Sequence, residues 1–361
     1  MTSGICPQLD LSDWGVRLLA PLHGGRYPLG GTLELTERCN LSCRHCYISQ
    51  PAGAAVARAR EMGIERVTAL LDAMVSAGTL FLALTGGEPL LRPDFGAIYR
   101  AARERGLLVT VMTNGTLLTP EIADLFVELR PRAIEITMYG ATEETYERVT
   151  QTPGAFARFR RALDLLRERS LPLMLKSVLL TLNRHELATM RALAREYRAS
   201  FRYDGLLWPR LDGSRAPLTY QLPVEELLAL DRDDPEREAG WRRLASLAGG
   251  ETVRSEYVYG CGAGLHTYHI DSVGRLSICT MARRPAFDLA KMGFDAAWQR
   301  LGAERERKRV LDTPCRTCSV GALCTLCPGW SQAVHGDDET PVEFVCDLGR
   351  QRAAQLERMA T

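Results

Sequence analysis

All but one of the eleven cysteines fall into two groups, and their spacing is the first sign of chemistry. Cys39, Cys43 and Cys46 form the first group, and the other seven lie between residues 261 and 346. The start of the chain has no signal-peptide pattern. Because thiols stay reduced inside cells, such close spacing indicates metal binding rather than disulfides. Cys6 stands alone and is predicted to be a plain thiol.

The first group follows a Cys-x3-Cys-x2-Cys pattern, which places three thiolates on one short loop. A four-iron cluster needs four ligands, so three local cysteines leave one iron open to a small molecule with amino and carboxylate groups. An electron sent into the cluster can then break a carbon–sulfur bond of a bound sulfonium. Tyr47, directly after the last cysteine, is placed to pack on an adenine. The alternatives are zinc or structural thiols, but zinc usually takes four ligands in two separated pairs.

Two segments together resemble a known family. Residues 36–47, Thr-Glu-Arg-Cys-Asn-Leu-Ser-Cys-Arg-His-Cys-Tyr, resemble the cluster loop of the radical S-adenosylmethionine (SAM) superfamily, and residues 85–89, Thr-Gly-Gly-Glu-Pro, resemble its second hallmark. The resemblance implies that Cys39, Cys43 and Cys46 hold a [4Fe–4S] cluster that cleaves SAM to a 5′-deoxyadenosyl radical. It also implies that the second segment binds the methionine amino group, since glycines admit close approach and a carboxylate pairs with an ammonium. The cofactor-binding residues expected there are Gly86, Gly87, Glu88 and Pro89.

Two further residues are assigned by the same resemblance. The family often has a small hydroxyl residue at the end of the fourth strand and a basic residue about a dozen positions later. Thr137 and Arg148 occupy those places. We expect Thr137 to hydrogen-bond the ribose and Arg148 to pair with the methionine carboxylate, because arginine suits a bidentate carboxylate contact. The alternative for Arg148 is a surface position on a helix.

The second cysteine group resembles the SPASM extension of radical SAM enzymes, although its last pair is spaced Cys-x2-Cys rather than the usual Cys-x3-Cys. The resemblance implies an outer auxiliary cluster and an inner one nearer the substrate. The outer ligands would be Cys315, Cys318, Cys324 and Cys346, and the inner ligands Cys261, Cys279 and Cys327.

The number of thiolates does not decide how many auxiliary clusters form. Two fully cysteinyl clusters need eight thiolates, and this region has seven. Either one cluster has another ligand or an open iron, or only one cluster forms. His266, His269 and Asp347 are candidates for the eighth ligand. Zinc remains an alternative, since paired Cys-x2-Cys motifs also suit a zinc ribbon.

Strand and helix patterns alternate from Thr32 to Leu207, which predicts five or six βα units and a parallel sheet. This stretch is shorter than the ~250 residues typical of a closed eight-fold barrel. The predicted fold is α/β: a partial (β/α)6 TIM-like barrel with a small C-terminal cysteine-rich iron–sulfur (SPASM-like) domain, held by metal rather than by a core. The expected strands are 33–36, 80–84, 107–112, 133–138, 173–182 and 201–207.

The predicted domain organisation follows from these patterns. An irregular segment covers residues 1–30, the partial barrel 31–208, a linker or helical bridge 209–257, the auxiliary cluster domain 258–348 and a C-terminal helix 349–361. Parallel sheets of this kind place their chemistry at the carboxyl ends of the strands, so the cysteine loop and the Gly-Gly segment should share one mouth.

Composition limits the partners. Lys plus Arg total 45 against 44 for Asp plus Glu, which gives no broad basic field for nucleic acid or an anionic membrane. No apolar run approaches the ~20 residues that span a bilayer. We therefore expect a cytoplasmic protein without nucleic-acid or membrane partners.

The predicted function is oxidative modification of a ribosomally made precursor peptide, by a crosslink, thioether or similar bond. An auxiliary cluster can accept the electron that a product radical must lose. Only 38 residues precede Cys39, too few for a leader-binding domain, so a separate PqqD-like recognition protein is an expected partner. A flavodoxin- or ferredoxin-type protein is the expected electron donor. The alternatives are a tetrapyrrole or other small-molecule substrate, and a non-catalytic iron–sulfur or zinc protein.

Overall fold

The structure is a computed structural model, and it describes residues 25–48, 50–247 and 256–358. Cys6 and most of the predicted N-terminal segment lie outside these ranges. The strands are β1 (Gly30–Glu34), β2 (Arg38–Cys39), β3 (Gln50–Pro51), β4 (Phe81–Thr85), β5 (Leu108–Thr113), β6 (Ala133–Thr137), β7 (Leu173–Val178), β8 (Ser200–Asp204), β9 (Thr267–Ile270), β10 (Arg275–Ser277) and β11 (Phe287–Asp288).

The helices alternate with the strands as far as β8 and then continue through the C-terminal region. They are α1 (Ala55–Arg60), α2 (Ile64–Ser76), α3 (Phe95–Glu104), α4 (Pro120–Glu128), α5 (Glu143–Thr150), α6 (Ala155–Glu168), α7 (Leu187–Glu196), α8 (Val224–Arg232), α9 (Pro235–Leu247), α10 (Leu289–Arg305), α11 (Pro328–His335) and α12 (Glu343–Arg358). Among the described residues, no helix is both long enough and apolar enough to cross a bilayer.

A nine-stranded sheet forms the centre of the molecule, in the order β11-β10-β9-β1-β4-β5-β6-β7-β8. The six strands from β1 to β8 in this order pair in parallel, joined by helical crossovers, which confirms the predicted α/β fold with its mostly parallel sheet. At the other side of β1, β9 also pairs in parallel, and β10 and β11 follow as antiparallel strands.

The two faces of this sheet differ in chemistry. One face packs on the helices, and its side chains at Leu84, Val111, Ile136 and Leu175 expose none of their surface. We call the opposite side the polar face, because the residues that share it by register are mostly polar. Its members include Thr32, Glu34, Thr85, Thr110, Glu135, Thr137, Lys176, Arg202 and His269. A face of this kind is suited to binding a ligand rather than a helix.

The cysteine-rich region differs from the sequence-based expectation. We predicted a segment held by metal rather than by a core, yet β9 pairs with β1, and Tyr268, Ile270 and Trp298 are buried in the main hydrophobic core. The prediction missed this because the strands are short and their partners are distant in sequence. The proposed boundary at residue 258 therefore separates two cysteine groups along the chain, while one sheet runs through both regions.

Two element boundaries also differ from the predicted ones. The first strand begins at Gly30 rather than Leu33, since pairing on both sides holds an extended backbone through two glycines. The last helix begins at Glu343 rather than Gly349, because Val345 and Leu348 already follow the buried helical face. Cys346 consequently lies on a helix.

Candidate functional site

The loop carrying the first three cysteines is fixed by the end of α5 and the turn after β5. The amides of Ser42 and Arg44 each donate to carbonyls at the end of α5, Thr150 and Val149, at 3.0 Å. On the other side, Asn40 contacts the β5 turn: its Nδ2 donates to Thr116 Oγ1 at 2.8 Å, and its Oδ1 accepts from Asn114 at 3.0 Å. Backbone geometry therefore sets where the thiols lie.

The three thiols lie close enough to interact electrostatically. Burial is the main cause that raises the pKa of Cys39 to about 12, and the charges of Glu88 and Cys46 contribute to that rise. Burial also raises the pKa of Cys43, with added contributions from Cys46 and Cys39. A metal deprotonates a coordinating thiol outright, so these thiols can become thiolates on binding iron. The Cys39 sulfur already has donors aimed at it, the Leu41 amide at 3.4 Å and Asn114 Nδ2 at 3.7 Å. The donor set fits a cluster.

The two glycines of the second segment are required by the cluster loop itself. Gly86 has φ of +150°, and a Cβ there would lie 2.3 Å from the Thr36 carbonyl oxygen; at Gly87 it would lie 2.4 Å from that of Arg38. The amides of Gly87 and Glu88 donate to the same two carbonyls, at 2.7 and 2.9 Å. We expected the glycines to admit a ligand. The structure shows that they admit the backbone of the cysteine loop, which joins the two motifs.

Glu88 is fully buried at the carboxyl end of β4. One carboxylate oxygen accepts from Thr113 Oγ1 at 2.6 Å and from the Leu90 amide at 3.0 Å, while the other accepts from the Asn114 amide at 2.7 Å. Burial raises its pKa to about 7, and these hydrogen bonds oppose that rise. A carboxylate has about four acceptor positions, so one remains for a cation. Pro89, next to it, is buried and begins a 3-10 turn.

The remaining predicted cofactor residues are Thr137, Arg148 and Tyr47. Thr137 ends β6 on the polar face, in register with Lys176 of β7. The guanidinium of Arg148 already has protein partners. It donates to the Leu182 carbonyl at 2.8 Å and lies 3.8 Å from the Glu144 carboxylate. Tyr47 is half-buried, with its ring centre 6.0 Å from the Arg283 guanidinium carbon.

The seven C-terminal cysteines separate into two electrostatic sets. The pKa of Cys346 is raised to about 11, mainly by burial and then by the charges of Cys324, Cys315 and Cys318. The pKa of Cys324 is likewise raised by burial and by Cys318 and Cys315. Burial also raises the pKa of Cys327 to about 11, but its cysteine neighbours are Cys279 and Cys261. The structure thus groups four cysteines in one place and three in another.

Backbone amides point at sulfurs in both sets. Cys279 Sγ accepts from the amides of Met281 and Ala282 at 3.3 and 3.2 Å, and Cys324 Sγ accepts from that of Leu326 at 3.4 Å. Among the described residues, no three His, Cys, Asp or Glu side chains surround a point that one metal ion could occupy, as a zinc ribbon requires. In a four-iron cluster each thiolate bonds its own iron, so the sulfurs stand further apart.

The candidates for an eighth ligand lie in different surroundings. His269 is fully buried on the polar face, with Nε2 3.7 Å from Glu34 and Nδ1 3.4 Å from Thr280 Oγ1. Asp347 accepts a hydrogen bond from Gln351 at 2.9 Å. The Nδ1 atom of His266 is buried without a protein partner.

A buried ion pair links the two cysteine regions. Arg283, four residues after Cys279, donates to both oxygens of Glu34 at 2.9 and 2.5 Å. Glu34 ends β1, directly before the first cysteine loop. Burial opposes ionisation, but the nearby His269 and the hydrogen bonds from Arg283 hold the pKa of Glu34 well below its usual range.

Sequence analysis missed Thr113, Asn114, Glu34 and Arg283. By its residue types, Asn114-Gly115 is typical of a turn that ends a strand. Its position at the carboxyl end of the third parallel strand was an available signal, because such ends carry the chemistry of this fold class. No comparable signal existed for the Glu34–Arg283 pair, since the partners lie far apart in the chain.

Comparison with known proteins assigns the class. Residues 33–194 match the model of the Radical SAM superfamily. This matched stretch is a radical SAM domain, and it contains both motifs described above. A domain of this kind implies a [4Fe–4S] cluster and SAM as its cofactors.

Two relatives in sequence and one solved structure are similar to most of this chain. The chain is 27% identical over 324 residues to an AdoMet-dependent heme synthase of Methanosarcina barkeri, covering 84% of this chain and 92% of the relative. It is 28% identical over 292 residues to the mycofactocin maturase MftC of Mycobacterium ulcerans, covering 77% and 76%. Streptococcus suis SuiB bound to the precursor peptide SuiA shares the fold, with a TM-score of 0.65 and 14% identity over 87% of this chain and 74% of SuiB.

Proposed function

We propose that this enzyme oxidatively modifies a ribosomally made precursor peptide, forming a crosslink, thioether or similar bond. The observation that carries the proposal is the separation of the seven C-terminal cysteines into a set of four and a set of three. Two such sets, in a chain that also carries a three-cysteine loop, suit a reaction in which a product radical loses an electron.

The first site has a role for each predicted residue. Cys39, Cys43 and Cys46 hold the cluster. When bound, the cluster and SAM supply a 5′-deoxyadenosyl radical able to take hydrogen from an unactivated carbon. The free acceptor position of Glu88 receives the methionine ammonium, which is favoured because a cation offsets the unfavourable burial of this carboxylate. The other assignments are Tyr47 for the adenine, Thr137 for the ribose and Arg148 for the methionine carboxylate.

The auxiliary sets supply the electron acceptors. Cys315, Cys318, Cys324 and Cys346 can ligate one cluster completely. Cys261, Cys279 and Cys327 leave one ligand position of a second cluster to another group. The Glu34–Arg283 pair holds the Cys279 loop against the start of the first cysteine loop, so that the inner set and the cofactor site keep a fixed relation.

The peptide assignment draws on relatives. MftC is a maturase, and SuiB was solved with a precursor peptide. We also propose a separate PqqD-like protein that recognises the peptide, and a flavodoxin- or ferredoxin-type electron donor.

The test uses anaerobically reconstituted enzyme with dithionite, SAM and the product of a short open reading frame beside the gene. We expect 5′-deoxyadenosine and a peptide product that has lost hydrogen, both detected by mass spectrometry. The iron content should approach about twelve atoms per chain if both auxiliary clusters form, and about eight if only one does. Formation of 5′-deoxyadenosine without any change in the peptide contradicts the assignment.

A tetrapyrrole substrate is the second candidate. It is favoured by the heme synthase relative, whose alignment spans most of both chains. The same assay with an iron coproporphyrin separates the two, since loss of carboxyl carbon from a side chain of the ring, rather than change in a peptide, would then accompany 5′-deoxyadenosine.

A further inference from the structure

The polar face carries a charged cluster that the cofactor residues described above do not use. Lys176 Nζ lies 3.3 Å from Glu135 Oε2, and Arg202 Nη2 lies 2.6 Å from the same oxygen. Lys176 and Arg202 are register partners on β7 and β8, while Glu135 lies on the neighbouring β6. Two cations thus share one carboxylate, and the cluster has one positive charge in excess.

The position of this cluster suits substrate binding. Lys176 is the register partner of Thr137, so it lies beside the proposed ribose contact and on the same face. Its side chain keeps 26% of its surface accessible, whereas Glu135 keeps 9%. Arg202 lies on β8, at the edge of the sheet, with 58% of its side chain exposed. The charges therefore run from an open edge inwards to the level of the cofactor residues.

A structural role accounts poorly for this arrangement. One cation is enough to neutralise Glu135, and burial already lowers the pKa of Lys176 even though Glu135 opposes that shift. An uncompensated cation in a partly desolvated place is unfavourable unless an anion binds there. Lysine is also rare in this chain, with three in the whole sequence, and Lys291 and Lys308 are 80% and 65% exposed.

We propose that Lys176, with Arg202 at the sheet edge, binds a carboxylate group of the substrate and so holds the substrate beside the cofactor. The inference rests on the proposed function, because it assigns an anchor in the same site. A carboxylate is common to both candidate substrates: a peptide has side-chain and terminal carboxylates, and a tetrapyrrole has acidic side chains. SAM has one as well, so the test must separate cofactor from substrate.

The experiment compares anaerobically reconstituted holoenzyme with Lys176→Gln, Lys176→Arg and the exposed control Lys291→Gln. Equilibrium dialysis with SAM present measures binding of two probes. One is a pool of short random-sequence peptides, as free acids or with every carboxyl group amidated. The other is coproporphyrin III, as the free acid or its methyl ester. Affinity for SAM alone is measured for each variant.

We expect the wild-type enzyme to bind the free-acid form of one probe in preference to its blocked form. Lys176→Gln should weaken that binding roughly ten- to hundredfold, the loss expected for one charge-assisted hydrogen bond. Lys176→Arg should retain most of it, and Lys291→Gln should change nothing. Preference for coproporphyrin III alone would preserve the anchor and contradict the peptide function.

Three outcomes would overturn the inference. The first is equal binding of free-acid and blocked probes by the wild-type enzyme. The second is unchanged binding by Lys176→Gln while substrate turnover remains intact, which contradicts the anchor but leaves the proposed function standing. The third is an equal loss of SAM affinity in Lys176→Gln, which would assign the bound carboxylate to the cofactor.

Discussion

The two cysteine regions are built by different means. The first loop lies between regular elements, and its hydrogen bonds with α5, with the β5 turn and with the Gly86–Glu88 backbone fix its path. The C-terminal cysteines lie mostly on loops and short 3-10 turns such as Pro314–Thr317 and Gly321–Leu323. Small satellite clusters of side chains pack around the outer set, apart from the main core.

The two regions differ in how far protein contacts, without a bound cluster, hold the cysteines in place. The first site has its donors in place through the protein backbone. The outer set depends on a few buried contacts, chiefly the Arg352–Asp231 ion pair at 2.8 Å and the stacking of the Arg352 guanidinium on Trp241 at 3.7 Å. Since metal binding often supplies folding free energy to such regions, we expect the C-terminal region to depend more strongly on its clusters.

The largest effect should come from the first site. Cys43→Ala removes one of three thiolates from a buried position, so the cluster loses a protein ligand. We expect 5′-deoxyadenosine formation to fall to the level seen without enzyme, measured by liquid chromatography under reducing anaerobic conditions. Cys6→Ala is the matched control and should keep full cleavage. Substantial cleavage by Cys43→Ala would contradict the assigned ligand set.

The next largest effect should distinguish the role of the C-terminal cysteines from that of the first cysteine loop. Cys318→Ala should retain uncoupled cleavage of SAM but lose substrate turnover, because it affects only the outer auxiliary set. Iron per chain should fall by about four atoms. Normal turnover by this variant would show that the outer set has no role in the reaction.

Breaking the link between the regions should cost stability. Arg283→Met leaves the fully buried Glu34 without its bidentate partner, and we expect a loss of about 3 kcal/mol in the free energy of unfolding. Chemical denaturation followed by circular dichroism measures it. The control is Arg100→Ala, which removes an exposed ion pair with Glu128 and should cost less than about 1 kcal/mol. Equal losses would mean that the link is not important for stability.

The most gradual effect is a pH dependence at the first site. The pKa of Glu88 rises to about 7 in the folded protein, so the folded state binds a proton that the unfolded state releases. Stability should therefore fall as pH rises from about 5 towards 7 and level off above, by at most about 3 kcal/mol. Unfolding at several pH values measures the slope, which should be reduced in Glu88→Gln. Saturating SAM should also reduce it if Glu88 pairs with the ammonium.

The sequence was most informative where local pattern and chemistry agree. Gly78 follows α2 with φ of +99°, which glycine adopts readily, and α9 begins at Pro235, where proline suits the first turn of a helix. The parallel sheet followed from alternating apolar runs and turn residues. The cysteine spacings alone indicated metal binding.

Contacts between distant segments were decided only by the tertiary structure. Pairing of β9 with β1 depends on a register that the sequence of either strand leaves open. The glycine requirement at residues 86 and 87 comes from the backbone of residues 36–38, and the charge balance at Lys176 comes from residues on two other strands. Local spacing determines which residues can take part in chemistry, while side-chain partners far apart in the chain are brought together only when the sheet forms.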